Sequence, residues 1–226
     1  MPRSPLHLFL LIAAVGILAV LVQFEVLQIA FGKLGLSAES AYLLLVVTLA
    51  GSLLNMPLFT IASNFSGETP VPPQLRAWLQ PRRIGTPGKT LIAVNVGGCV
   101  VPTAFSLYLF SLHPVPFGAA VICVAAVSAV AFAASRPIAG VGIGIPILIA
   151  PLAAALIAYA LGDEQARAPL AYIGGTLGVL IGADLLRLKD IRKLGAPIAS
   201  IGGAGSFDGI FLSGMIRYLF EPLAMA

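Results

Sequence analysis

Long apolar runs follow one another along almost the whole 226-residue chain, separated by little more than Pro-marked turns and one polar loop. An apolar run of about 17–25 residues, at about 1.5 Å rise per residue, is long enough to cross a hydrocarbon core of about 30 Å. Seven such runs are present, at 6–30, 41–62, 90–112, 115–134, 137–161, 168–188 and 197–220. Charged residues make up only 10% of the chain, and mean hydropathy is +1.02. A soluble domain carries roughly 25% charge. This composition excludes an ordinary soluble enzyme, a disordered chain and a nucleic-acid binder. The expectation is an all-α, polytopic membrane protein of about seven transmembrane helices, forming one integral membrane domain over residues 1–226. Its first partner is then the lipid bilayer. The first run is too long for the apolar core of a signal peptide, and no small-residue cleavage site follows it. With 17 Pro and 24 Gly, straight helices throughout are not expected. Broken or kinked helices are expected in the fifth and seventh spans.

Basic residues orient such a chain. If the loops alternate sides as seven spans require, one side holds Arg3, Arg76, Arg82, Arg83, Lys89, Arg136, Arg187, Lys189, Arg192 and Lys193. The other holds Lys33, Arg167 and Arg217. The positive-inside bias makes the first side cytoplasmic. The N-terminus is then inside, the C-terminus outside, and 63–89 is a cytoplasmic loop.

Ionisable residues inside a span cost about 2.5–3.5 kcal/mol each at mid-span, so those that persist face the bundle interior or water. Glu25 falls near the outer end of the first span and reads as interfacial. Asp184 falls about 6 Å inside the cytoplasmic end of the sixth span, and Asp208 up to about 16 Å inside the seventh, at helical rise. Each sits among glycines: Gly182-Ala183-Asp184, and Gly202-Gly203-Ala204-Gly205-Ser206-Phe207-Asp208-Gly209. The two spans are joined by a short basic loop, which suits antiparallel neighbours. Gly174, Gly178 and Gly182 repeat every four residues, as do Gly205 and Gly209, and small residues at that spacing let helices approach closely. The stretch 200–206 is a poor helix former and could hold irregular backbone lining a cavity. Two carboxylates within reach of each other would share a proton, and such a pair can activate water. The other reading is that each aspartate caps a broken helix or bonds to a neighbouring backbone.

At these residues the sequence resembles a prokaryotic membrane family of unknown function, domain of unknown function sixteen-fourteen. The resemblance rests on Gly182-Ala-Asp184-Leu-Leu and on Ser200-Ile-Gly-Gly-Ala-Gly-Ser-Phe-Asp208-Gly-Ile-Phe211-Leu. It extends to Gly51-Ser-Leu-Leu-Asn55-Met-Pro57-Leu, to Asn95-Val-Gly-Gly98 with Pro102, and to Ser135-Arg136-Pro137 with Gly140-Val-Gly-Ile-Gly144. It covers nearly the whole chain and implies a shared fold, but no activity.

A weaker resemblance is to the intramembrane aspartyl proteases of the presenilin, signal peptide peptidase and prepilin peptidase group. These use two membrane aspartates, the second carried by a Gly-x-Gly-Asp motif. The resemblance implies Asp184 and Asp208 as the catalytic pair, with Gly203, Gly205 and Ser206 holding an extended substrate. Here Ala183 stands where a Tyr is usual, and Ser206 and Phe207 separate the glycines from Asp208.

Asn55 and Asn95 place amides beside prolines inside the second and third spans. They could line an ion path at a broken helix, or bond across a helix interface. His7 and His113 are far apart, so no metal site is expected, and no cofactor. Cys99 and Cys123 sit in apolar runs and do not suggest a disulfide. Three functions fit the residues: a peptide hydrolase using the aspartate pair, a proton- or cation-coupled transporter using it as an ion site, and a catalytically inactive scaffold of protease-like fold. The substrate would be a transmembrane peptide in the first case and a small molecule or ion in the second. The expected location is the cytoplasmic membrane of a prokaryote.

Overall fold

A computed structural model describes residues 30–64, 87–138, 142–192 and 198–203. The chain divides into two compact units, 1–44 and 45–226. In the first, a short turn brings Phe31 and Leu34 into buried positions. Ser37 then opens the helix α1, Ala38–Ser52, its hydroxyl accepting from the Ser40 backbone N–H at 3.2 Å. Helix α1 runs on into the second unit.

The second unit combines helices with a small sheet. After α1 come β1 (Asn55–Ala62) and β2 (Lys89–Asn95). A π-helical turn, Val96–Val100, runs directly into α2 (Val101–Leu112). Helix α3 is Phe117–Ala134. Two short strands, β3 (Arg136–Ile138) and β4 (Gly142–Gly144), pair antiparallel. Helix α4 is Ile149–Leu161, and α5 is Arg167–Val179, ending in a second π-helical stretch, Leu180–Leu185. A single helical turn, α6 (Leu188–Ile191), and β5 (Ile198–Ile201) complete the described part.

The all-α, seven-span expectation is wrong. Among the described residues two helices are long and apolar enough to cross a membrane: α3, and α5 with its π-helical end. In addition, β1, β2 and β5 form a three-stranded sheet with β2 in the centre, antiparallel to β1 and parallel to β5. Three of the apolar runs change conformation partway. The run 41–62 leaves α1 and becomes β1, where Pro57 can donate no helical hydrogen bond and biases Met56 towards extended backbone. The run 90–112 starts as β2, which holds Thr90, Ile92 and Val94, and turns helical only where Asn95 caps Gly98. The run 137–161 is β3, β4 and then α4, its first part carrying Gly142, Gly144 and Pro146. In the run 197–220 the described residues form β5 and the turn after it. With two helices of spanning length, the alternation of loops behind the N-inside, C-outside orientation no longer holds. The first run lies outside the described residues except for Ala30, as do most of 63–89 and everything after Gly203.

Helix α5 organises the core of this unit. It packs against α2, α3 and α4. A side chain added at Gly174, Gly178 or Gly182 would overlap Cys123, Val127 or Ser128 of α3. The four-residue glycine repeat therefore seats α5 on α3, the span-length neighbour two helices earlier in sequence. The π-helical end of α5 meets one face of the sheet: Leu180 and Ile191 are buried with Ile92 and Ile201. A second cluster joins Val179 and Ala183 to Ala131 of α3 and Ala150 of α4.

Candidate functional site around Asp184

Asp184 lies in the π-helical end of α5 and is 8% exposed. A π-helical stretch hydrogen-bonds at longer spacing than an α-helix and tends to occur at functional sites. The Leu186 N–H reaches back to the Ile181 carbonyl, and the widened turn holds Asp184 on the buried side. Its Oδ2 accepts the Gly202 backbone N–H at 2.8 Å. Gly202 has φ +72°, a left-handed backbone suited to glycine, and it ends β5.

The other π-helical turn, Val96–Val100, approaches the same point. A Cβ at Gly98 would overlap the Gly202 carbonyl oxygen, and a Cβ at Gly202 would come within 2.5 Å of the Gly98 carbonyl carbon. The Val101 N–H reaches back five residues to the Val96 carbonyl, and Pro102 offers no N–H to the Gly98 carbonyl. Cys99, in the same turn, packs on the Leu180 and Ile201 cluster beside Asp184. Two widened helical turns and one glycine thus meet where α5, α2 and β5 come together.

A polar network lies on the opposite face of the sheet from Ile92 and Ile201. Asn95 Oδ1 accepts the Gly98 N–H at 2.7 Å. Asn95 Nδ2 donates to the Ser52 carbonyl at 2.7 Å and to Asn55 Oδ1 at 3.1 Å. Ser200 Oγ donates to the same Asn55 oxygen at 2.5 Å. Ala93, opposite Ser200 in the parallel register, is small enough for Ser200 and Asn55 to meet across the central strand.

Several residues singled out from sequence therefore come together. Asn55 and Asn95 touch, and Asn95 serves as a helix cap. Gly203 lies at the end of β5, its N–H donating to the Ser200 carbonyl at 3.1 Å. Gly205, Ser206, Asp208 and Gly209 lie outside the described residues, as do Glu25 and His7. Asp190 forms an ion pair with Arg187 at 3.0 Å.

Three participants were not anticipated. In the sequence Ser200 reads as part of a poor helix former and of the family motif, and Gly202 as one glycine in a run. The third is Arg187, which closes the C-terminal end of α3. It donates to the Phe132 and Ser135 carbonyls at 2.7 and 2.9 Å and to Ser135 Oγ at 3.2 Å, and it lies over the Phe132 ring at 4.2 Å. A cation just past a spanning-length helix, next to the Ser135-Arg136-Pro137 turn, was the available signal.

No curated protein and no solved structure matches the chain. The family model described as Protein of unknown function (DUF1614) matches residues 49–220, which include β1, Asp184 and the Gly202 turn, and the chain belongs to that family.

Proposed function

We propose that this is an intramembrane hydrolase of the aspartyl peptidase type, with Asp184 and Asp208 as the acid–base pair. The observation that supports it best is the hydrogen bond from Gly202 to Asp184. It ties the Asp184 carboxylate to the segment that carries the second aspartate. Only five residues lie between Gly202 and Asp208. At up to about 3.6 Å per residue, the chain cannot take Asp208 more than about 22 Å from Gly202.

The chemistry asks for two carboxyl groups and one water. One carboxylate removes a proton from the water as its oxygen bonds to the peptide carbonyl carbon. The other carboxyl group, protonated, gives its proton to the carbonyl oxygen. In the tetrahedral intermediate a proton passes to the peptide nitrogen, the C–N bond breaks, and an acid and an amine leave. The backbone around Gly203, Gly205 and Ser206 would hold an extended substrate. A transmembrane peptide is the substrate class that fits two helices of membrane-spanning length, and the bilayer is the medium. The location that fits is the cytoplasmic membrane of a prokaryote. The transporter reading finds less support, because the Asn55 and Asn95 amides bond to each other and to backbone.

The test is cleavage of an apolar transmembrane peptide by purified protein in liposomes. Asp184→Asn and Asp208→Asn are each expected to lower cleavage by about 10³-fold or more, with folding unchanged. Wild-type cleavage by both variants would overturn the assignment.

A further inference from the structure

The polar network on the outer face of the sheet does not touch Asp184, yet it holds the parts that do. Asn95 fixes the first turn before α2 by accepting from Gly98, and Gly98 is packed directly on Gly202. Ser200, two residues before Gly202, is tied to Asn55, and Asn55 to Asn95. Gly202 in turn donates to Asp184. We infer that Asn55, Asn95 and Ser200 are positioning residues that hold the Gly202 N–H against the Asp184 carboxylate. The inference rests on the reading of Asp184 as a working group and adds the device that orients it.

The physical reason is the isolation of β5. It is an edge strand of four residues, and its described neighbour in the sheet is β2. A short edge strand shifts easily along its partner. Two hold-points oppose such a shift here. One is Ser200 reaching across Ala93 to Asn55; the other is the close approach of Gly98 and Gly202, which no larger residue would permit. A displacement of about 1 Å in a catalytic group can cost about 10²-fold in rate, so small slips matter.

The test observes the Gly202 N–H directly. Protein labelled with ¹³C-carbonyl isoleucine and ¹⁵N-glycine in lipid nanodiscs gives amide signals only from Ile–Gly pairs. Ile201→Val removes, and so assigns, the signal of Gly202. Asp184→Asn is expected to move the Gly202 amide proton upfield, because the bond to a charged acceptor is lost. Ser200→Ala and Asn95→Ala should move it in the same direction, by at least half as much. Ser200→Thr, which keeps the hydroxyl, should leave it in place. Ile122→Ala, on the exposed face of α3, should also leave it in place. If Asn95→Ala does not fold, the Ser200→Ala and Ser200→Thr pair decides alone. A Gly202 signal unmoved in Ser200→Ala overturns the inference.

Peptide cleavage measured in parallel separates this inference from the peptidase reading. Ser200→Ala should lower kcat by about tenfold and change KM by less than about twofold, with Ser200→Thr restoring kcat. If the wild-type protein cleaves nothing while the Gly202 signal responds as described, the peptidase reading fails and the positioning network stands.

Discussion

Helix α3 and helix α5 with its π-helical end have nearly the same length and both are apolar, yet they are built for opposite surroundings. Only 28% of α3 is buried, whereas 78% of the Arg167–Leu185 helix is. The outward face of α3 carries Phe117, Val121 and Ile122, large side chains that need an apolar medium around them. The inward face of α5 carries Gly174, Gly178 and Gly182, where side chains are missing so that α3 can come close. Apolarity alone therefore does not say which way a helix faces. At the α3–α5 contact missing side chains set the approach, whereas the exposed positions of α3 carry large ones. The polar chemistry follows the small residues, since Asp184 lies at the end of the glycine face.

Substitutions that reverse this contrast should have very unequal effects. The largest is expected at Gly182. A valine there would press on the Ser128 backbone carbonyl of α3, which cannot swing aside as a flexible side chain can. Gly182→Val should cost about 3 kcal/mol or more, enough to deplete folded protein in detergent extracts. Arg187→Ala should come next. Arg187 is 18% exposed and joins the end of α5 to the end of α3 through the Phe132 and Ser135 carbonyls. Losing those bonds should cost about 1–3 kcal/mol, read as a lower midpoint in thermal unfolding. The smallest effect belongs to the outward face of α3. Ile122 is 55% exposed, and Ile122→Ala should change stability by less than about 0.5 kcal/mol in detergent. An effect at Ile122 as large as that at Gly182 would erase the distinction between the two helices.

Much of this pair was legible in the sequence. The runs 115–134 and 168–188 enclose the helices closely, because each is continuous, apolar and bounded by proline or charge. The glycine repeat announced a close helix contact, although nothing in its spacing named α3 as the partner. The sheet was hidden for a physical reason. A short strand segment such as Leu91–Val94 is apolar at every position, so it lacks the alternation that marks a half-buried strand. By hydropathy it continues into the helix that follows. Local breaks were the better guide: Pro57 after Asn55, Asn95 ahead of Gly97 and Gly98, Gly142 and Gly144 before Pro146.

At the site, Asp184 stood out because a buried carboxylate in an apolar helix is costly and specific. The meeting of Asn55 with Asn95 and Ser200 did not stand out. It depends on strand pairing between residues about 40 and 145 positions apart, which no local spacing encodes.

The account turns on whether Asp184 and Asp208 meet. The direct measurement is cross-linking of cysteines placed at both positions, in a chain carrying Cys99→Ser and Cys123→Ala, reconstituted in lipid. A short bifunctional thiol reagent should join the Asp184→Cys and Asp208→Cys side chains within one molecule. That result would place the two carboxyl positions within reach of one water. If each cysteine reacts singly with the reagent and the two are never joined, the shared acid–base pair is contradicted.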